Sequence, residues 1–151
     1  MSKNALGTQI VTQVAIVCHD IEATSQAWAE LLGIEKPNWI ITDTVDKAHT
    51  EYHGQPTTAQ AKLAFVDVGE NVRLEIIEPV GEPSTWGEFL QQHGDAIHHI
   101  AFLVRDMDTV IARLDAQDIS LVQKGDYTGG RYAYVDGQSK LGAVLELLEN
   151  F

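Results

Sequence analysis

The chain contains an internal repeat, and this feature constrains its fold more than any other. The segment QVAIVCHDIE, which begins at Gln13, aligns with HIAFLVRDMD, which begins at His99. The segment VRLEIIEP aligns in the same way with AVLELLEN, so that Glu75 falls on Glu146. A repeat of this kind predicts two copies of one supersecondary unit that pack together to bury a common core.

Each half of the chain shows the pattern of a strand, a helix and three further strands. In the first half, a run rich in β-branched residues precedes a helical pattern that has Asp20 as its N-cap and Gly33 as its stop. The predicted apolar stripe of this helix consists of Ile21, Trp28, Leu31 and Leu32. The segment NWIITDTV that follows reads as a second strand.

The clearest local signal is AKLAFVDVGENVRLEIIEP, in which two apolar runs flank the turn GEN and predict a hairpin. Before it, the polar stretch at residues 46–60 predicts a long loop or an irregular hairpin. Between the halves, GEPSTWGEFLQQHGD predicts a short helix capped by Ser84 or Thr85. We therefore expect one α+β domain over residues 1–151, in which two paired βαβββ modules form a cupped, eight-stranded mixed sheet. Its parts are module 1 at about 8–80, a linker helix at 84–93 and module 2 at about 95–150.

Composition excludes several classes of function. The net charge of −12 repels nucleic acid and anionic membranes, so we expect neither as a partner. The apolar runs are too short to span a membrane, and the N-terminus has no apolar core of a signal peptide. Cys18 is the only cysteine, which favours a reducing compartment, and we expect a cytoplasmic protein.

Four polar residues stand among apolar neighbours at positions that the repeat relates. Gln13 and His99 begin the first strand of each module, and Glu75 and Glu146 lie in the middle of its last strand. Alternation along the strand directs Glu75 and Glu146 to the concave face of the sheet. Taken singly, either glutamate could be an exposed edge residue and Gln13 a surface residue. Two symmetric buried carboxylates need a compensating partner, and a divalent cation supplies one. Three oxygen donors and one imidazole suit Zn, Ni, Co, Mn or Mg.

The chain resembles the vicinal oxygen chelate superfamily over about residues 9–148. This superfamily includes glyoxalase I, methylmalonyl-CoA epimerase, extradiol dioxygenases and the bleomycin- and fosfomycin-resistance proteins. The resemblance is most specific in GDAIHHIAFLVRDMD, VRLEIIEP, GAVLELLE and PSTWGEFLQQHG, and it is closest to the glyoxalase and epimerase branch.

The resemblance implies the glyoxalase/bleomycin resistance/dioxygenase fold, with a cavity around one metal. It implies that Gln13, Glu75, His99 and Glu146 are the metal ligands, and that His98 lies on the opposite face of its strand. It further implies that Glu146 or Glu75 moves a proton on the carbon next to a carbonyl that the metal binds and polarises. We expect a homodimer that acts on a small-molecule substrate.

The branch stays open on sequence alone. Glyoxalase I has an arginine four residues after the first ligand and an asparagine four residues after the second, where this chain has Val17 and Pro79. The epimerase has a histidine in place of Gln13 and a catalytic acid in the region of Thr57 and Thr58. We therefore expect a metal-dependent lyase or isomerase. The alternative is a non-catalytic protein that sequesters an apolar or aromatic compound in the same cup.

Other aromatic and charged residues receive weaker assignments. Trp39, Tyr52, Phe65, Tyr132 and Tyr134 are candidates to line an apolar pocket, whereas Trp28 and Trp86 are expected in the core. The loop histidines, His49, His53 and His93, are expected to be exposed. Arg73 and Arg131 are expected on the surface, with contact to an anionic substrate as the alternative.

Overall fold

Two modules of the expected order make up the chain, for which the computed structural model describes residues 4–151. Met1–Lys3 of the predicted domain lie outside the described residues. Module 1 contains β1 (Val11–Val17), α1 (Ile21–Leu32), β2 (Ile40–Ile41), α2 (Val45–Ala48), β3 (Glu51–Tyr52), β4 (Gln55–Pro56), β5 (Gln60–Asp67) and β6 (Arg73–Val80). After α3 (Thr85–His93), module 2 contains β7 (Ala96–Leu103), α4 (Met107–Asp115), β8 (Leu121–Tyr127), β9 (Gly130–Val135), α5 (Gln138–Leu141) and β10 (Val144–Asn150).

The modules join through antiparallel pairing of β1 with β7 at the centre of one mixed sheet. The strand order is β2-β5-β6-β1-β7-β10-β9-β8-β3-β4. In each module the first strand pairs in parallel with the last, and Gln13 lies opposite Arg73 as His99 lies opposite Val144. The sequence repeat is therefore also a repeat of strand register. The α+β class and the cupped mixed sheet are confirmed.

The sheet separates an apolar convex face from a concave face that carries polar groups. Leu74 and Ile76 of β6 pack with Ile21 of α1, and Leu145 and Leu147 of β10 belong to the core cluster of α4. Burying each such side chain contributes about 1.5–3 kcal/mol. Because alternate residues face opposite ways, this packing directs Glu75 and Glu146 to the concave face.

The two equivalent helices begin against equivalent glutamates. Oε1 of Glu78 in β6 accepts a hydrogen bond from the Ile21 amide at 3.0 Å, and Oε2 of Glu149 in β10 accepts from the Met107 amide at 3.3 Å. Asp20 caps α1 as predicted, by accepting from the amides of Glu22 and Ala23. Carboxylates at helix N-termini satisfy free amides and oppose the positive end of the helix dipole.

One part of the predicted helix stripe is wrong. Leu31 is 73% exposed and Leu32 is 42% exposed, whereas Ser25 and Ala29 are buried in their place. The small side chains of Ser25 and Ala29 allow α1 to lie close to the sheet along this face. Leu31 and Leu32 lie outside the face and therefore stay exposed. Gly33 ends the helix in the left-handed region, with φ of 67°, as its position predicts.

The polar stretch at residues 46–60 crosses from module 1 to module 2. It forms α2 and the short β3–β4 hairpin, and Glu51 and Tyr52 of β3 pair with Lys124 and Gln123 of β8. The two short strands raise the sheet from the expected eight strands to ten. The predicted second strand is reduced to β2, because the chain leaves the sheet edge after Ile41 to make this crossing. Within residues 4–151, no helix has the length and apolar character needed to cross a membrane.

Candidate metal centre

The four residues singled out by the repeat lie together on the concave face. They come from β6, β1, β7 and β10, which are four successive neighbours at the centre of the sheet. All four side chains belong to residues that are nearly inaccessible to solvent, at 8% for Gln13, 5% for Glu75, 0% for His99 and 4% for Glu146. Each of these strands is paired on both sides, so backbone hydrogen bonds fix the positions of the four residues relative to one another.

The polar atoms of this group converge without satisfying one another. Nε2 of His99 lies 3.3 Å from Oε1 of Glu146 and 3.6 Å from Oε1 of Glu75. Ligand atoms of these three residues all lie within 4.8 Å of one another. Four buried atoms have no hydrogen-bond partner here, namely Gln13 Oε1, Glu75 Oε1, His99 Nε2 and Glu146 Oε1. Each unsatisfied buried group costs about 1–3 kcal/mol. The donor set and its lack of partners fit a divalent cation.

Burial sets the protonation of the group. It raises the pKa of Glu146 to about 8 and raises that of Glu75 well above its ordinary value, and the nearby charge of Glu146 raises the Glu75 pKa further. Burial also lowers the pKa of the His99 imidazole to about 3. Near neutral pH the imidazole is therefore an unprotonated donor, and the carboxyls hold protons that a bound cation would displace.

The prediction that His98 lies on the opposite face is wrong. Ala15 of β1 pairs with His99, but the next residue, Ile16, pairs with Ile97, so that His98 is an extra residue in a β-bulge. A bulge breaks the alternation of side chains and redirects one of them. His98 is buried, and its Nδ1 lies 2.7 Å from Nδ1 of His99. Burial, followed by the neighbouring His99, lowers the His98 pKa well below its ordinary value.

The linker helix α3 completes the surroundings of the histidines. Its cap is Ser84, one of the two predicted cap residues, which accepts from the Gly87 amide. Oγ1 of Thr85 lies 3.1 Å from Nε2 of His98. On the same helix, Trp86 donates its indole N–H to the Tyr134 hydroxyl at 3.0 Å. The Tyr134 ring is 4.9 Å from the His99 ring, so aromatic groups screen the imidazole from water.

A cavity of about 490 Å³ lies over the concave face and is lined by Gln13, Glu75 and Glu146. Phe65, Tyr132 and Tyr134 line it as predicted, whereas Trp39 and Tyr52 do not. Trp86, predicted in the core, is buried and also lines the cavity.

The charged residues of the cavity wall were only partly expected. Arg73 lines the cavity and stacks on the Phe65 ring, with its guanidinium carbon 4.1 Å from the ring centroid. Arg73 is exposed, as expected, and it reaches the cavity because it occupies the same face of β6 as Glu75. Asp43 and Asp126 also line the cavity. Arg131 instead pairs with Glu149, outside the described cavity lining.

The remaining candidates separate as the sequence suggests. His49, His53 and His93 are exposed. Thr57 is buried and donates to the Pro83 carbonyl at 2.8 Å, so it is part of the scaffold. His98 and Thr85 are the site neighbours that sequence reasoning missed. The adjacent pair of histidines at a candidate ligand position was the one available signal for His98.

Comparison with known proteins agrees with this architecture. Residues 12–135 match the model of the Glyoxalase/Bleomycin resistance protein/Dioxygenase superfamily. The chain is 25% identical over 149 residues to a 2-epi-5-epi-valiolone epimerase of Actinomyces sp, covering 94% of this chain and 80% of the relative. It is 31% identical over 100 residues to the uncharacterized protein YqjC of Bacillus subtilis (strain 168), covering 63% of this chain and 71% of the relative.

Solved structures share the fold. A methylmalonyl-CoA epimerase from Mycobacterium tuberculosis superposes with a TM-score of 0.67 at 21% identity, covering 100% of this chain and 93% of the other. A methylmalonyl-CoA epimerase of Streptomyces coelicolor in complex with 2-nitronate-propionyl-CoA superposes with a TM-score of 0.61 at 21% identity, covering 94% and 97% of the two chains. At these sequence identities the similarity establishes a shared fold and no more.

Proposed function

The chain belongs to the glyoxalase/bleomycin resistance protein/dioxygenase superfamily, and on this premise we propose that it is a metal-dependent enzyme of carbonyl chemistry. It moves a proton on the carbon next to a carbonyl of a small substrate, as an isomerase of the epimerase type or a lyase of the glyoxalase type. The observation that carries this proposal is the convergence of ligand atoms of Glu75, His99 and Glu146 within 4.8 Å of one another, beside a cavity that Gln13, Glu75 and Glu146 line.

Gln13, Glu75, His99 and Glu146 would hold one divalent ion through three oxygens and one nitrogen. When bound, such an ion supplies Lewis acidity to a carbonyl oxygen. The two carboxylates balance the charge of a dication, and the neutral imidazole adds a donor without adding charge. Zn, Ni, Co, Mn and Mg all remain compatible with this donor set.

Glu75 and Glu146 are the candidate catalytic residues. They lie on strands at either side of the central β1–β7 pair and are related by the repeat of the two modules. One carboxylate can take a proton from the substrate carbon while the other returns a proton, which is what inversion at that carbon requires. The epimerase names of one sequence relative and of several structural neighbours support the isomerase over the lyase.

The charges of the cavity favour an uncharged substrate that is not attached to coenzyme A or glutathione. Outside the floor, the charged lining residues among those described are Asp43, Asp126 and Arg73, so carboxylates outnumber cations. The whole chain carries a net charge of −12. This field repels the phosphates of a coenzyme A thioester. Val17, which is buried where glyoxalase I has its arginine, offers nothing to glutathione. We expect a compact carbonyl compound whose hydroxyl groups meet Asp43 and Asp126 and whose apolar side meets Leu63 and Phe65.

A second candidate function is sequestration without turnover. Phe65, Trp86 and Tyr132 give the cavity an aromatic wall that would hold an apolar or aromatic compound. A binding protein needs no buried carboxylates, however, and leaving Glu75 and Glu146 uncompensated in the floor would lower its stability. The two candidates differ in turnover, since both would bind a ligand.

Loss of a C–H signal in D₂O tests the proposal directly. The metal-loaded protein is mixed with a panel of hydroxyketones, hemithioacetals and acyl thioesters, and exchange at the carbon next to the carbonyl is followed by proton NMR. We expect exchange with at least one compound of the panel, lost in Glu146→Gln. Glu149→Gln is the matched control, because Glu149 lies on the same strand but faces α4, and its amide replacement keeps an acceptor for Met107. Ligand binding with no exchange anywhere in the panel would favour sequestration.

Cys18 is buried, and burial raises the pKa of its thiol, which agrees with an inert packing role.

The cytoplasmic location and the homodimer stay predictions. Sedimentation equilibrium would decide between monomer and dimer.

A further inference from the structure

We propose that His98 is a positioning residue that fixes the tautomer of His99, so that Nε2 of His99 is free to bind the metal. This inference rests on the proposed metal site. It assigns to His98 a role distinct from that of a ligand, and it follows from hydrogen-bond geometry within the chain.

The two Nδ1 atoms lie 2.7 Å apart, which is hydrogen-bond distance. Such a contact requires one proton between the two nitrogens, carried by one ring as the donor while the other ring accepts. Two protons would repel each other, and two lone pairs would leave both buried nitrogens unsatisfied. The geometry therefore couples the tautomer of one histidine to that of the other.

Only one of the two arrangements leaves His99 able to bind a cation. If Nδ1 of His99 carries the proton, it donates to Nδ1 of His98, and Nε2 of His99 is a free lone pair facing Glu75 and Glu146. In the opposite arrangement Nε2 of His99 carries a hydrogen and cannot act as a ligand.

The Thr85 hydroxyl, which can donate or accept, satisfies His98 in the productive arrangement. When Nδ1 of His98 accepts, its proton lies on Nε2, which is 3.1 Å from Oγ1 of Thr85 and can donate to that hydroxyl. Thr85 is fixed at the start of α3, because its amide donates to Oε1 of Gln123 at 2.8 Å. The chain of contacts from His99 through His98 to Thr85 thus connects the metal floor to the linker helix.

Packing prevents His98 from leaving this position. The residue is 2% exposed, and its ring makes edge contacts with Phe89 and Tyr134 at centroid distances of 5.0 and 5.3 Å. A ligand histidine commonly donates its other nitrogen to a carboxylate or a carbonyl. Here the partner is the neutral imidazole of His98 in place of a carboxylate. The two negative charges of Glu75 and Glu146 then balance one dication, and no third buried charge has to be neutralised.

Two variants separate the acceptor from the bulk of the ring. His98→Phe keeps an aromatic ring but removes the acceptor, and we expect the Kd for Zn²⁺ to rise by about 10–100-fold. In His98→Asn the side-chain oxygen can take the place of Nδ1, and we expect it to restore most of the Zn²⁺ affinity. His93→Phe is the matched control, since His93 is exposed and packs on the same Phe89 ring.

The tautomers themselves give a readout independent of affinity. Long-range ¹H–¹⁵N correlation spectra of the labelled native protein, with and without Zn²⁺, are expected to show His99 protonated at Nδ1 and His98 protonated at Nε2. His99 protonated at Nε2 in the zinc-free protein, or native Zn²⁺ affinity in a folded His98→Phe, would overturn the inference. If His98→Phe fails to fold, the proton positions in the zinc-free native protein provide the test, with His99 expected to carry its proton on Nδ1. A native protein that binds none of the candidate ions would instead refute the metal site, and the zinc-free spectra would still report on His98.

Discussion

Nε2 of His99 lies 3.3 Å from Oε1 of Glu146, yet neither atom has a hydrogen-bond partner in the described residues. Both residues are buried. The burial of these two neighbouring polar groups without partners destabilises the fold, but it suits them to bind a cation. Stability that is given up at a functional site is regained on ligand binding.

The metal-free protein is expected to lose stability as pH rises above neutrality. Burial raises the Glu146 pKa from 4.5 to about 8, so the folded state holds a proton that the unfolded state has released. A raised carboxyl pKa stabilises the folded state at low pH, and this contribution is lost as pH rises through the folded value. Urea unfolding in chelator at several pH values from about 7 to 9 should show a decline of up to about 1.4 kcal/mol per pH unit for each proton.

The variant Glu146→Gln serves as the control for that pH dependence. It removes the titrating group while keeping the side-chain shape, so the decline should become shallower. His99 does not interfere, because its pKa falls from 6.5 to about 3 and the imidazole is neutral in both states above pH 7. An unchanged decline in Glu146→Gln would show that other groups control it.

Addition of a metal ion is expected to restore the stability that the metal-free protein loses at high pH. An ion that binds the folded state at about 100 times its Kd stabilises by about 2.7 kcal/mol. The ion displaces protons from Glu75 and Glu146, so the gain should be larger at pH 8 than at pH 6. Thermal unfolding with and without Zn²⁺ measures it, and an equal gain in His99→Ala would place the ion elsewhere.

Replacing the glutamates that accept hydrogen bonds from the first turns of α1 and α4 should lower the free energy of unfolding without changing metal binding. Glu78→Ala removes the acceptor of the Ile21 amide, and Glu149→Ala removes that of the Met107 amide. We expect each to cost about 1–3 kcal/mol in the free energy of unfolding. Metal content should stay at the native level, since neither side chain faces the cavity floor. Loss of metal from a folded Glu78→Ala would mean that the helices set the geometry of the site.

Tyr134→Phe is expected to lower stability by about 1–3 kcal/mol, because it leaves the buried Trp86 indole N–H without its acceptor. A double-mutant cycle with Trp86→Phe isolates the hydrogen bond, as the second change should cost less once the first is made. Additive costs would argue that the bond contributes little.

The sequence repeat predicted the two modules and, together with the superfamily resemblance, the convergence of Gln13, Glu75, His99 and Glu146. It could do so because alternation and repeated register are local rules that the central strands obey. His98 escaped prediction because its bulge depends on how β7 pairs with β1, which is a tertiary choice. The β3–β4 hairpin escaped for a similar reason: strands of two residues are set by the edge of β8 that they meet. Leu31 and Leu32 carry the apolar pattern of a buried face, but the tertiary packing buries Ile21, Ser25 and Ala29 of α1 instead.

Equilibrium metal binding tests the central claim most directly. Metal-free protein is dialysed against Zn²⁺, Ni²⁺, Co²⁺, Mn²⁺ or Mg²⁺, and the bound ion is counted in the native chain, in His99→Ala and in Glu149→Gln. The metal centre predicts one divalent ion per chain in the native protein and in Glu149→Gln, and its loss in a folded His99→Ala. A native chain that binds none of the five ions, or a His99→Ala variant that binds as the native does, would contradict it.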